Sequence, residues 1–409
     1  MSGNKDLRTR SARQLTRVPI APGPEGLNRL LPHLTTALDG SGPAIAPVPV
    51  VSPTCSQDYV ASVLAAVHAD DSSHPLESDD IALVVATSGS TGNPKGVLLA
   101  ADTLAPGTAA ANEGSAQAQW IAALPVYSMG GLNVVVRALA ADRDPIAVGS
   151  LGGASPFTAE AFASAVNKAT RHAADVRTSL VPAQLARLLA SDEGIDALQA
   201  CTQILIGGAP TRTSLMDACR ELDITAITTY GSTETGGGCV FDGLAIPGAR
   251  VEIVDGRVVI RGAVVARGYR CDQKATRESF HEGVYLTQDV GVFSDDGRLR
   301  ITGRIDDVVI INGINVSPDA IAHVLADLPD VVAASVVAVS DANSEPYLVA
   351  FLEPREEVDD ITVRACQAVH EALGRPAVPR HVVCLDQLPH LPNGKVDRAL
   401  LTKWARETD

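Results

Sequence analysis

Short apolar runs alternate with amphipathic segments through the middle of the chain, from about residue 81 to residue 230. The runs Ile81–Ala86 and Gln203–Ile206 are short, continuous and aliphatic, which is typical of strands buried on both faces. Segments such as Thr158–Thr170 and Thr213–Leu222 carry apolar residues at helical spacing and predict helices. The alternation predicts a mostly parallel, doubly wound sheet with ligands near the carboxyl ends of its strands. The other predicted elements here are Ala118–Leu124, Arg177–Val181, Pro182–Ala190 and Ala226–Thr229.

After Gly238 the pattern changes, because short apolar runs are separated by Gly and Asp turns. These runs predict a small antiparallel β-region at about 239–305, with strands at Val251–Val254, Arg257–Arg261, Val284–Leu286 and Leu299–Thr302. Beyond Asp306, helices and strands alternate again and predict a small α+β domain over residues 306–409. Its predicted elements are Ser317–Leu328, Val331–Val339, Tyr347–Leu352, Asp360–Leu373 and His381–Leu385.

The first 80 residues contain Pro- and Gly-rich stretches, which predict loops with one helix at Gln57–Ala69. Met1–Arg17 has arginines but no apolar core of a signal peptide, and is interpreted as a frayed tail. The whole pattern predicts an α/β fold. Its large N-terminal domain, residues 1–305, would hold doubly wound mixed sheets plus the small β-region, and a small α+β C-terminal domain would follow.

Composition narrows the classes of function. Apolar residues make up 46% of the 409 residues, enough for sizeable cores, and the net charge is −15. That charge argues against nucleic acid or an anionic membrane as the main partner. No apolar run approaches the roughly 18–20 residues of a membrane span. The seven cysteines are scattered without CxxC spacing, which predicts reduced thiols in the cytoplasm and no zinc site.

The most specific motif is the loop TSGSTGNPKG at Thr87–Gly96, which follows a predicted buried strand. Small hydroxyls, glycine backbone N–H groups and the mobile ammonium of Lys95 suit a polyphosphate. The loop does not fit the ordinary P-loop, because Pro94 precedes the lysine and Gly96 follows it. A surface turn is the alternative for this loop taken alone.

The second motif, YGSTET at Tyr230–Thr235, comes directly after a predicted strand, where a doubly wound sheet binds ligands. The carboxylate of Glu234 suits Mg²⁺, which prefers one or two carboxylates plus substrate phosphates. A helix cap or a solvated loop charge is the alternative for Glu234.

The third and fourth motifs lie further along. Asp289, predicted in a turn, could accept ribose hydroxyls, and Arg304 could donate to the same sugar or to phosphate. Lys395 lies in the glycine-containing loop LPNGKVDR near the C-terminus. Taken alone, Asp289 would more often be structural and Lys395 a solvated charge.

Together and in this order, the four motifs resemble those of the adenylate-forming superfamily, which contains acyl-CoA synthetases, adenylation domains and luciferases. The resemblance implies ATP and CoA as substrates, Mg²⁺ as cofactor, and Lys395, Glu234 and Thr233 as catalytic residues, with Glu234 holding the metal. Asp306 would be the hinge about which the C-terminal domain rotates between adenylation and thioester formation. Gln288 stands where the family usually has glycine. The implied ATP-binding residues are Thr87, Ser88, Gly89, Ser90, Thr91, Gly92, Lys95, Gly96, Tyr230, Gly231, Asp289 and Arg304.

Within the superfamily, the chain resembles the o-succinylbenzoate–CoA ligases of menaquinone biosynthesis in their short actinobacterial form, with an N-terminus truncated relative to most members. The expected partners are small molecules, namely ATP, CoA and an aromatic carboxylic acid, and a homodimer is left open. Arg137 could pair with a second carboxylate, although a helix-surface arginine is the favoured interpretation. A ligase for another acid, an enzyme that loads a carrier protein, and a non-catalytic nucleotide-binding relative remain alternatives. The acyl-pocket candidates are Tyr127, Ser128, Arg137, Gly207, Gly208, Gly236 and Gly237.

Overall fold

The computed structural model describes residues 13–70, 73–87, 94–311, 313–339, 346–355, 359–391 and 395–407. Most of the predicted N-terminal tail and residues 88–93 of the phosphate loop lie outside these ranges. Across the described ranges, every helix falls short of the length and apolar character that a membrane crossing requires.

The first sheet begins near the N-terminus, where β1 (Leu15–Ile20), β2 (Ala44–Pro49) and β3 (Ile81–Ala86) run parallel. β4 (Gly96–Ala100) returns antiparallel to β3. The helices of this region are α1 (Pro24–Leu38), α2 (Gln57–Val67) and α3 (Ala101–Ala111). The loop prediction for residues 13–55 is wrong, because β1, α1 and β2 occupy most of that described stretch.

Prolines explain why these elements were missed. Pro32 lies inside α1, and Pro47 and Pro49 lie in β2, positions that normally argue against a helix and a central strand. β2 pairs with β3 at Ile45 and with β1 along its whole length. The two prolines are therefore placed where β3 no longer pairs with β2.

The second sheet is the doubly wound core. Its strands are β5 (Gln119–Ala122), β6 (Ile146–Ala147), β7 (Val176–Leu180), β8 (Gln203–Ile206), β9 (Ala226–Ser232), β10 (Gly237–Phe241) and β11 (Leu244–Ala245). They lie in the order β11-β10-β9-β8-β7-β5-β6, and the five from β9 to β6 are parallel. The helices are α4 (Met129–Ala140), α5 (Ala159–Thr170), α6 (Pro182–Leu188), α7 (Asp192–Gln199) and α8 (Thr213–Glu221).

Helices cover both faces of this sheet, as predicted. α1 and α4 pack between the first and second sheets around Trp120, while α5 to α8 pack on the opposite face around Phe162. β9 is longer than predicted, because Tyr230, Gly231 and Ser232 continue the strand.

The antiparallel β-region is also present. It consists of β12 (Ala249–Val254), β13 (Arg257–Gly262), β14 (Gly268–Tyr269), α9 (Gln273–Ser279), β15 (Phe280–His281), β16 (Val284–Phe293) and β17 (Leu299–Arg304). β14 leaves this region and pairs with β4 at the edge of the first sheet. β16 is ten residues long, so the prediction that Asp289 lies in a turn is wrong.

The small C-terminal domain is built on a three-stranded sheet in the order β20-β21-β22. Ile321 and Leu325 of α10 pack on Val336 and Leu348 of this sheet. The strand Val331–Val339 has the predicted bounds, whereas the domain boundary at Asp306 stays a prediction. The elements are β18 (Val309–Ile311), β19 (Ile314–Val316), α10 (Pro318–Ala326), β20 (Val331–Val339), β21 (Tyr347–Pro354), α11 (Ile361–Leu373), β22 (His381–Cys384) and α12 (Arg398–Glu407).

Candidate active site

Glu234 lies in a single turn of 3-10 helix, Thr233–Thr235, at the carboxyl end of β9. Its side chain is 8% exposed, and its Oε1 accepts a hydrogen bond of 2.9 Å from the Tyr269 hydroxyl. Burial, and then the Glu234 carboxylate, raise the pKa of Tyr269, so this hydroxyl stays a donor. The interpretation of Glu234 as a solvated loop charge is therefore wrong. Thr233, half-buried, begins the same turn.

Tyr269 also contacts the phosphate loop. The ammonium of Lys95 lies 4.7 Å from the centroid of the Tyr269 ring, within the range of a cation–π interaction. At the base of the loop, Thr87 N–H donates to the Lys95 carbonyl at 2.8 Å. Lys95 N–H donates in return to Thr87 Oγ1 at 2.9 Å. The remaining predicted loop residues, Ser88, Gly89, Ser90, Thr91 and Gly92, lie outside the described residues.

Gly96 is explained by packing. It is buried in β4, and a Cβ added there would stand 2.4 Å from the carbonyl oxygen of Ala66. Its own carbonyl accepts from Arg270 N–H at 2.7 Å. These contacts account for the glycine without a ligand.

Asp289 is held by two protein donors. Tyr230 hydroxyl donates to its Oδ2 at 2.7 Å, and Arg304 Nη1 donates to its Oδ1 at 2.9 Å. The pairing of β16 with β13 is irregular beside Asp289. Leu286 and Val290, four residues apart on β16, pair with Val259 and Arg257, which are only two apart on β13. This bulge re-aims the side chains of residues 287–289, which is how a strand position comes to face a site. Gln288 lies within the bulge.

Arg304 continues the chain of contacts to the predicted hinge. Its Nε and Nη2 donate to the two carboxylate oxygens of Asp306, each at 2.9 Å, in a bidentate pair. The next residue, Asp307, belongs to a different cluster, because Arg398 Nη2 donates to its Oδ1 at 2.8 Å. Arg398 Nη1 donates to Asp319 at 2.9 Å, so two carboxylates share one guanidinium.

Lys395 faces this group of residues from the small domain. Although the residue keeps exposed surface, its ammonium is crowded by protein, and this desolvation lowers its pKa. Glu234 and Asp289 lie close enough to oppose that shift, and Arg304 reinforces it. Glu234, Asp289, Arg304 and Lys395, which come from three of the four motifs, thus lie close enough to interact electrostatically.

The predicted glycines of the acyl pocket serve mainly to bring protein segments together. An added Cβ at Gly207 would lie 2.4 Å from Thr229 Oγ1, and at Gly237 1.9 Å from Asn133 Nδ2. Gly208 is different, because it is exposed and only Val181 lies near, at 3.5 Å. The expectation that glycine leaves room for an acid is thus confined to Gly208. An added Cβ would also lie too close to a carbonyl oxygen at Gly231, facing Gly237, and at Gly236, facing Thr103.

Arg137 is buried, so its interpretation as a helix-surface arginine is wrong. It is 5% exposed, its Nη1 donates to Ser179 Oγ at 3.1 Å, and its guanidinium lies 5.3 Å from the Trp120 ring centroid. Its Nε is buried without a hydrogen-bond partner, and no carboxylate among the described residues pairs with it. Burial lowers the pKa of Arg137 to about 10.

The helix that carries Arg137 also contacts the loop that follows Glu234. Asn133, one helical turn earlier on α4, donates from its side-chain amide to the Gly236 carbonyl at 2.9 Å. Residues four apart share a helix face, about 6 Å apart along the axis. α4 therefore contacts the Glu234 loop through Asn133, while Arg137, one turn further on, contacts Ser179 and Trp120.

Tyr127 and Ser128 immediately precede α4. Tyr127 is 6% exposed and packs in the core between the first two sheets, and its hydroxyl is buried without a hydrogen-bond partner. Burial raises its pKa. Ser128 Oγ donates to the Pro125 carbonyl at 2.8 Å. Their role in an acyl pocket stays a prediction.

Sequence reasoning missed Tyr269, although it contacts both Glu234 and Lys95. It lies 35 residues from Glu234 and at the end of a two-residue strand, so no local pattern marks it. Asn133 was missed for the same reason.

Comparisons with known proteins agree with this arrangement. Residues 44–270 match the family described as AMP-binding enzyme, and residues 320–395 match the AMP-binding enzyme C-terminal domain. A probable 2-succinylbenzoate–CoA ligase from Mycobacterium tuberculosis is 34% identical over 387 residues, which cover 93% of this chain and 96% of that protein.

Two solved structures extend the comparison. The amide bond synthetase McbA from Marinactinospora thermotolerans has a TM-score of 0.76 at 22% identity, covering 96% of this chain and 90% of that one. An E. coli MenE variant with bound OSB-AMS has a TM-score of 0.74 at 24% identity, covering 97% and 89%. At these identities the likeness shows the fold, and it confirms the predicted α/β class with a large and a small domain.

Proposed function

This chain belongs to the AMP-binding enzyme family, and on that premise we propose that it is an ATP-dependent o-succinylbenzoate–CoA ligase. In the first half-reaction, a carboxylate oxygen of the acid attacks the α-phosphorus of ATP and pyrophosphate leaves. In the second, the CoA thiolate attacks the acyl carbon of the acyl adenylate and AMP leaves. The relative from Mycobacterium tuberculosis, 34% identical over nearly its whole length, supports this assignment.

The residues brought together around Glu234 fit the first half-reaction. Lys395 supplies a positive charge beside the α-phosphate and the attacking carboxylate, where negative charge develops. Lys95 would contact the outer phosphates, and Thr233 the α-phosphate. Asp289 keeps acceptor capacity for a ribose hydroxyl, because each carboxylate oxygen takes only one protein donor.

The donor set also fits a magnesium ion. Glu234 offers one buried carboxylate with Oε2 not engaged by Tyr269, and Mg²⁺ is commonly bound by one carboxylate together with substrate phosphates and water. When bound, the ion would neutralise phosphate charge. Tyr269 would fix the orientation of the carboxylate.

The observation that favours a diacid is the buried Arg137. An unpaired buried cation is costly, and a ligand carboxylate would satisfy its free Nε and offset its desolvation. o-Succinylbenzoate has two carboxylates, so one can be activated while the other meets Arg137.

The test is an assay with o-succinylbenzoate, ATP, Mg²⁺ and CoA that measures the thioester, AMP and pyrophosphate. Equal amounts of all three products are expected. ADP as the stoichiometric product would overturn the assignment. Acyl adenylate that reacts with an amine or with a carrier-protein thiol, but not with CoA, would favour the alternative in which another acceptor completes the reaction.

A further inference from the structure

Arg212 connects the large domain to the small domain at a point away from the hinge. It is the residue immediately before α8 and follows the loop that carries Gly207 and Gly208. Its Nη1 donates to the carbonyl of Val331, the first residue of β20. The same nitrogen lies 3.4 Å from the carbonyl of Ala326, the last residue of α10.

Both carbonyls lack a partner from their own element. Ala326 is in the last turn of α10, where carbonyls have no intrahelical donor and carry the negative end of the helix dipole. Val331 begins β20, an edge strand, and the preceding Asp330 carbonyl accepts from Arg355 N–H on the β21 side, so the Val331 carbonyl points to the open edge. A guanidinium is well suited to this place because it satisfies two acceptors that the small domain leaves open.

The charges around the contact come from the small domain. Asp327 lies close and favours the cation, whereas Arg355 repels it. Burial, with a smaller effect from Arg355, lowers the pKa of Arg212. The guanidinium is therefore partly removed from water, and hydrogen bonds from a charged donor are stronger there than at an exposed surface.

The contact coexists with the placement of Lys395 in the candidate active site. On the same side of the small domain, α6 lies against β20, and Arg187 of α6 is near His390, which precedes the Lys395 loop. One orientation of the small domain thus makes the Arg212 contact and brings Lys395 near Glu234 and Asp289. A rotation that withdraws Lys395 would have to break the Arg212 hydrogen bonds.

We propose that Arg212 is a positioning residue that holds the small domain in the orientation in which Lys395 faces the ATP site. The inference rests on the proposed function, which assigns Lys395 to the first half-reaction. Arg212 contacts neither substrate, and it acts through the population of one domain orientation. Its loss lowers the fraction of molecules that are ready for adenylation.

The test compares Arg212→Ala with Arg212→Lys and with the control Arg220→Ala. Arg220 is on the same helix but exposed, and it pairs with Asp217 there. Acyl-adenylate formation is expected to fall about tenfold in Arg212→Ala, the scale of one charged hydrogen bond, with partial recovery in Arg212→Lys. Thioester formation from preformed acyl adenylate and CoA is expected to be unchanged or faster. Arg220→Ala is expected to match the parent in both steps.

A second measurement is independent of activity. Trypsin cleavage after Arg304, at the hinge, is expected to be several-fold faster in Arg212→Ala than in the parent and in Arg220→Ala, because a freed small domain exposes the hinge. Unchanged cleavage, or equal losses in the two half-reactions, would overturn the role of Arg212. A parent protein that makes no AMP with any acid would instead contradict the proposed function, and the cleavage comparison would still decide on Arg212.

Discussion

Asp289 and Arg137 are both charged side chains shielded from solvent, but their charges are paired differently. Asp289 is paired on both oxygens, by Tyr230 and by Arg304. Arg137 has a serine hydroxyl and an aromatic face, and no carboxylate among the described residues. On the proposed assignment, the nucleotide side therefore has its charges paired by protein groups, whereas the acyl side keeps a charge that no carboxylate of the described residues neutralises.

The difference indicates where each half of the site gets its specificity. Fixed donors and acceptors on the nucleotide side cost little reorganisation during reaction, which suits the step shared by all acids. A buried cation without a charged partner disfavours the binding of an apolar group beside it and favours the binding of an anion. Variants on the nucleotide side should therefore affect every acid alike, whereas variants at Arg137 should change which acid is used.

The largest effect is expected for Lys395→Ala. Removal of a charge that stabilises negative charge on the carboxylate and the α-phosphate should slow adenylation by ~10²–10³, or about 3–4 kcal/mol, with every acid tested. Pyrophosphate exchange measures this step, and thioester formation from synthetic acyl adenylate should stay near the parent rate.

The matched control is Lys403→Ala on α12, an exposed lysine of the same domain, for which no change is expected. Equal losses of Lys395→Ala in both half-reactions would contradict a role limited to adenylation. If the decrease in adenylation rate differed between acids, Lys395 would contribute to binding the acid as Arg137 is proposed to do.

The next effect is expected for Arg137→Met. The value of kcat/KM for o-succinylbenzoate should fall by roughly 10–100-fold, since a charged hydrogen-bonded pair to the ligand is lost. With 3-benzoylpropionate, which lacks the ring carboxylate, the variant should equal or exceed the parent. Its free energy of unfolding should not decrease, because a buried unpaired charge has been replaced by an apolar side chain.

A smaller effect is expected for Tyr269→Phe, which keeps the ring beneath Lys95 but removes the donor to Glu234. The Mg²⁺ concentration for half-maximal activity should rise about tenfold, the usual consequence of losing the partner of a ligating carboxylate. Tyr230→Phe is the comparison variant, since it should raise KM for ATP without altering the Mg²⁺ dependence. An unchanged magnesium response in Tyr269→Phe would mean that Glu234 does not depend on this hydrogen bond.

The smallest effect concerns stability and pH. Burial raises the pKa of Asp307 to about 6; Arg398 opposes this shift and neighbouring Asp319 adds to it. An unfolded aspartate titrates near 3.9, so between about pH 4 and pH 6 the native state binds more protons. The stability that protonated Asp307 contributes is therefore lost as pH rises through about 6.

Asp307→Asn should remove that dependence. Relative to the parent, its melting temperature should be a few degrees higher at pH 8 than at pH 4.5. Asp330→Asn, at the ion pair with Arg364, is the control and should show no such trend. A difference for Asp307→Asn that is constant with pH would show that its carboxyl does not titrate in this range.

Local signals were enough to predict many elements. Thr158 and Ser317 cap α5 and α10 through hydrogen bonds of 3.2 Å to Ala161 N–H and Ala320 N–H, and both caps are legible in the sequence. The strand Val331–Val339 contains five valines among its nine residues and neither glycine nor proline, which is typical of a strand. Conversely, β2 could not be predicted, because its two prolines are tolerated only where the neighbouring strand β3 no longer pairs with it. The sequence does not show where that pairing ends.

Those residues of the candidate site that lie in sequence motifs could be predicted. Glu234 and Asp289 both come from motifs, although the position of Asp289 inside β16 was not predicted. Tyr269 and Arg212, in contrast, make their contacts across large sequence separations. Arg137 had a usable signal. Residues Met129 and Gly131–Ala138 of α4 are almost uniformly buried, and a helix that is apolar all round is a core helix, so its arginine had to be buried too.

Two arginine clamps, Arg304 and Arg398, lie on either side of the predicted hinge at Asp306 and restrict bending of the chain there. Arg304 fastens Asp306 to the large domain by two hydrogen bonds, and Arg398 fastens Asp307 to the small domain. If the domains rotate while both clamps hold, the whole change falls on two torsion angles, ψ of residue 306 and φ of residue 307. The domains would then rotate about the single peptide unit between residues 306 and 307, and the direction of that peptide unit would set the axis of rotation.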